Sequence, residues 1–240
     1  MAEPISVPKR VGWDAIHALV KGGISGIPFA GGIGAEFFEL IVKPPLLKKQ
    51  ERWMAEITDG IFHLTESFAS FDPRRLVQSE DFAAAVLSAT RAAMKTTDEV
   101  KLGALRNILL NTALTLDRET HIHETLLFIV DRVTGAHLSV LDAFSAYEVI
   151  QTALKEAKAD PPMPPASDFR TLSEDIEFTN SVTFELIELN LIFMPKGIRY
   201  VPDSQPFWTN KFGHLGTEHL KTTELGRKLL KYISSPTTED

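Results

Sequence analysis

The densest grouping of potential metal ligands in this 240-residue chain is Asp117-Arg118-Glu119-Thr120-His121-Ile122-His123-Glu124. On a helix, Asp117 with His121 and Glu119 with His123 form i, i+4 pairs, a spacing that lets two side chains chelate one ion. Histidines at i, i+2 diverge, so a single site would need ligands from elsewhere, and a solvated, charge-laced helix start gives the same pattern. A metal-dependent hydrolase or nuclease would draw on this 117–124 cluster. His17, His63 and His137 stand singly, the pattern of surface or partner-satisfied histidines. Neither a Gly-x-Ser-x-Gly elbow nor a His-Glu-x-x-His pair is present. Gly32-Ile33-Gly34 lacks the third glycine, the preceding strand and the Gly-Lys-Ser/Thr ending that a phosphate loop requires. With no cysteine, disulfides, thiolate metal sites and Cys nucleophiles are excluded. No acid, base, nucleophile and orienter assemble from these residues, so the expectation is a non-enzymatic protein without cofactor or resident metal.

The chain is organised instead around Lys21–Pro45, KGGISGIPFAGGIGAEFFELIVKPP. Fourteen residues, Gly22 to Ala35, carry no charge, and six of the fourteen glycines lie between Gly22 and Gly34. Glycine costs conformational entropy wherever a backbone is ordered, so such density implies close backbone approach or a change of shape. Gly22-x-x-x-Gly26 and Ala30-x-x-x-Gly34 permit that approach in water or in lipid. One reading is a buried helical hairpin. The other is a segment that emerges to meet a membrane surface or a protein partner through Ile24, Ile27, Phe29, Phe37 and Phe38. A membrane span needs ~20 mainly apolar residues; reaching that length here would take Glu36 and Glu39 into the bilayer. Met1–Pro8 carries Glu3 and two prolines, unlike a secretory leader.

Charge weighs against nucleic acid. The net charge is −7, and residues 166–240 hold eight Lys/Arg against eleven Asp/Glu. The basic group there is Arg227, Lys228 and Lys231, faced by Glu224; a DNA-binding regulator would have to rely on these three.

Hydrophobic periodicity places the elements. Helices are predicted over 12–21, 33–42, 46–71, 79–95, 118–133 and 136–158, with a short turn after the Asp72-Pro73 cap and a further helix, opened by Thr96–Glu99, that holds Val100, Leu102, Leu105, Ile108, Leu109 and Ala113. Thr96-x-x-Glu99 has the spacing of a capping box. Residues 160–167 bring four prolines within five residues, which reads as a linker between a helical domain (1–159) and a smaller one (168–240). The latter reads as two helices over 168–192, a strand at 196–201, a partner strand at 217–221 and a last helix from Thr222/Thr223 to Ile233. The fold class expected is mainly α: an N-terminal helical bundle with a small winged-helix-like α+β end.

Three stretches carry a resemblance: IPFAGGIGAEFFELIVKPPLLKKQERW at the N-terminus, DEVKLGALRNILLNTAL with LLFIVDRVTGAHLSVLDAF in the middle, and LIELNLIF with TTELGRKLLKYI at the end. Together they resemble helical bacterial phage-defence proteins of the alpha abortive-infection type, with Asn190 standing where that ending has glycine. The resemblance implies antiviral defence by a bacterial cytoplasmic protein, possible association with the inner membrane, and action through protein contact, self-association or a membrane surface. It also implies a winged-helix-like end, and it brings no catalytic residues.

Overall fold

The computed structural model describes residues 43–116, 120–156, 176–194 and 220–236. They are mainly helical, with a small two-stranded sheet near the C-terminus. Two compact units divide the chain. One joins residues up to Thr97 with Leu102–Asp131 and Ser235–Asp240; the other joins Asp98–Lys101 with Arg132–Ser234. The expected helices at 12–21 and 33–42, the proline linker at 160–167 and the strand at 196–201 lie outside the described residues.

The first unit holds α1 (Lys43–Ser67), α2 (Arg74–Val77), α3 (Glu80–Met94), the body of α4 (Glu99–Leu114) and most of α5 (Thr120–Arg132). Pro44 and Pro45 fall in the first turn of α1, where the missing N–H groups would have no intrahelical acceptor in any case. Of the predicted apolar beat Leu46, Leu47, Trp53, Met54, Ile57, Ile61, Leu64 and Phe68, the middle five are buried as the inner face of α1, while Leu47 is exposed. They pack on α3, whose Ala85, Ala89, Ala92 and Ala93 keep the backbones close. Trp53 Nε1 donates to Thr90 Oγ1 at 3.1 Å, which satisfies both buried polar groups. The Lys49 ammonium donates to the carbonyls of Met94 and Thr96, closing the C-terminal end of α3 where a cation suits the helix dipole. Ser79 caps α3 by accepting the Phe82 N–H at 3.1 Å. Ahead of α2, hydrogen bonds from the Arg74 side chain and backbone hold the Asp72 carboxyl below its ordinary range. The stabilisation this exposed group supplies is present above its unfolded-state value and is lost as pH falls through the folded one.

The cap of α4 differs from the expected Thr96-x-x-Glu99 box. The helix begins at Glu99, and Asp98 Oδ1 accepts the N–H groups of Val100 and Lys101 at 3.0 and 3.2 Å. A carboxylate one residue before the helix reaches those amides directly, which a threonine two residues earlier does not.

The second unit is built on α6 (Gly135–Glu156), which packs against α7 (Ile176–Glu188), the sheet strand β2 (Lys221–Thr222) and α8 (Glu224–Ile233). A helix expected on the N-terminal side of the linker therefore shares its core with the C-terminal elements. Leu138, Leu141 and Phe144 of α6 are buried, as are Val182, Leu186, Leu191, Ile192, Leu229 and Tyr232 in the same unit. Strand β1 (Ile192–Phe193) pairs antiparallel with β2, Ile192 opposite Thr222 and Phe193 opposite Lys221.

Strand β1 occupies the end of a run that periodicity assigned to helix, and Asn190 is the reason. Its φ of 56° is left-handed, and around it the Asn190 N–H returns to the Ile187 carbonyl and the Leu191 N–H to the Leu186 carbonyl, both at 2.9 Å. This is a Schellman ending, completed by the buried Leu186 and Leu191. Asparagine is one of the few non-glycine residues that enter the left-handed region at modest cost. Asn190→Ala is expected to destabilise the protein by about 1 kcal/mol, while Asn190→Gly stays within about 0.5 kcal/mol of the parent in chemical denaturation.

Thr223 then opens α8: its Oγ1 accepts the Gly226 N–H at 2.9 Å, its N–H donates to the Leu191 carbonyl at 3.0 Å, and its hydroxyl donates to the Asn190 carbonyl at 2.7 Å. One threonine fixes the end of α7, the start of β1 and the start of α8.

Candidate functional site

Among the described residues, three groups of side chains and the basic trio of α8 are candidate places for chemistry or contact. The 117–124 cluster comes first. Asp117 and Glu119 lie outside the described residues. His121 and Glu124 are exposed on α5, while His123 is buried, with Nε2 3.0 Å from Thr115 Oγ1. The Thr115 hydroxyl donates to the Asn111 carbonyl at 2.8 Å, so the imidazole N–H is the donor to Thr115. The two histidines thus face opposite ways, as their i, i+2 spacing requires. Among the described residues no three His, Asp or Glu gather as a metal set.

The second group was not visible as a group in the sequence. Thr134 Oγ1 lies 2.8 Å from His137 Nδ1, and His137 Nε2 lies 3.0 Å from Glu185 Oε2. A hydroxyl, an imidazole and a carboxylate in that order have the connectivity of a nucleophile, its base and an orienting acid. A further contact fixes the tautomer: the Thr134 backbone N–H also donates to Nδ1, at 3.2 Å. An N–H only donates, so Nδ1 is the acceptor and the ring proton sits on Nε2, directed at Glu185. Thr134 precedes α6 and His137 is its third residue, so the ring reaches back to the Thr134 N–H as Glu or Gln does in one half of a capping box. The chain of bonds fastens the start of α6 to α7. His137→Ala is expected to cost about 1–2 kcal/mol, with His137→Gln recovering part of it, read by urea denaturation. Thr-x-x-His is a spacing that sequence could have flagged; Glu185, 48 residues on, gives no such signal.

The third group is apolar and outward. Phe62 on α1 and Phe128 on α5 are exposed in the first unit, and Phe178, Phe184 and Phe193 in the second; Phe128 reaches 60 % and Phe193 51 %. Phe62 falls off the stripe of Ile57, Ile61 and Leu64, which is the sequence signal for its exposure. The contact residues proposed from sequence, Ile24, Ile27, Phe29, Phe37 and Phe38, lie outside the described residues. No described helix is long and apolar enough to cross a membrane.

No protein-family profile, curated protein or solved structure matches this chain.

The basic trio of α8 does not stand as a free set. Arg227 Nη1 donates to the Thr222 carbonyl at 2.6 Å, while the Glu148 carboxylate accepts the Thr222 N–H at 2.7 Å, so both backbone groups of that strand residue are held by charged side chains. Lys228 is half-buried and Lys231 exposed. That bond uses one of the five guanidinium N–H donors, and Arg227 is itself exposed.

Proposed function

We propose that this chain is a non-enzymatic bacterial phage-defence protein of the abortive-infection type. It works in the cytoplasm through contact of its N-terminal helices with the inner-membrane surface or a protein partner. The defence role is what the resemblance of the three stretches implies; the observation that carries the mode of contact is the uncharged, glycine-rich run Gly22–Ala35 leading into Phe37 and Phe38, a stretch with ample apolar contact area. Two further features support it. Thr134, His137 and Glu185 are engaged in holding helices together, and aromatic side chains stand exposed in both units. Neither DNA binding through Arg227, Lys228 and Lys231 nor hydrolysis at 117–124 has comparable support.

Co-sedimentation with anionic and neutral vesicles, beside elution from a sizing column, tests the reading. The parent protein is expected to pellet with vesicles or to elute as a self-associated species, and Phe38→Asp to abolish that behaviour while leaving the circular dichroism spectrum unchanged. Folded Phe38→Asp and Ile27→Asp variants that keep both the contact and phage protection in cells would overturn it.

A further inference from the structure

We draw no further inference here: the strongest candidate, the exposed aromatic side chains Phe178 and Phe184 of α7 and Phe193 of β1 in the second unit, carries none because nothing in the structure shows what covers them.

Discussion

Replacing Asp98 with alanine is expected to lower the unfolding free energy by about 2–4 kcal/mol, the largest effect of any single polar substitution considered. The size follows from how many donors one carboxylate satisfies. Oδ1 takes the N–H groups of Val100 and Lys101 in the first turn of α4, and Oδ2 takes the Gly135 N–H at the start of α6, at 2.7 Å. A lost N-cap costs about 1 kcal/mol, and a buried N–H left without an acceptor costs about 1–3 kcal/mol more. Gly135 is buried, so water does not readily replace the lost oxygen. Two helix N-termini also lose the negative charge that complements their dipoles. An asparagine in this place would keep one oxygen for α4 but turn an amide N–H₂ toward an N–H, so Asp98→Asn should fall between parent and alanine. Gly135 itself is constrained by the same contact, since a Cβ there would overlap the Asp98 carboxylate. Equilibrium denaturation in urea measures all three proteins. An Asp98→Ala midpoint equivalent to a loss below about 0.5 kcal/mol, the scale of a neutral surface change, would show that the carboxylate is not the cap described.

The contrast between Asp98 and Ser79 shows what a sequence discloses. Ser79 sits next to its helix and binds an amide three residues away, so its role is legible from local spacing. Asp98 is legible as a cap but not as a bridge, because Gly135 is 37 residues distant. The same holds for Glu148, which reaches Thr222 across 74 residues. Periodicity found the helices of the described residues because burying one stripe is a local pattern repeated every 3.6 residues. It overran α7 because Leu189, Leu191 and Ile192 suit a helix and a strand equally, and only the left-handed turn at Asn190 separates the two. For the two histidines of the 117–124 cluster, the divergence was legible in the sequence. The buried stripe of α5 is Leu126, Leu127 and Val130, and stepping back one turn from Leu126 reaches His123. Helical phase alone therefore turns His123 inward, away from His121. What the phase cannot supply is the partner, Thr115.

Gly226 sets helix propensity and sterics against each other, so the sign of its substitution is informative. In an unconstrained helix, alanine is favoured over glycine by about 1 kcal/mol. Gly226 lies in the first turn of α8, and a Cβ built on it would overlap the Leu191 carbonyl oxygen and come within 2.9 Å of Thr222 Cγ2. The carbonyl has little freedom to retreat, because it accepts the Thr223 N–H at 3.0 Å and belongs to the residue that enters β1. Moving it would separate the start of α8 from the sheet, and overpacking of this kind costs roughly 1–3 kcal/mol. Gly226→Ala is accordingly expected to destabilise by about 2 kcal/mol, sterics overriding propensity. Gly103, in α4, is the internal control: a Cβ there meets nothing within 4 Å. Gly103→Ala should stabilise by about 0.5–1 kcal/mol through the same propensity that fails at Gly226. Opposite signs for these two glycine-to-alanine changes, measured in parallel by thermal and urea unfolding, would establish that the carbonyl of Leu191 makes glycine necessary at the start of α8. A stabilised Gly226→Ala protein would mean that the close approach of helix and sheet at this corner is not as described.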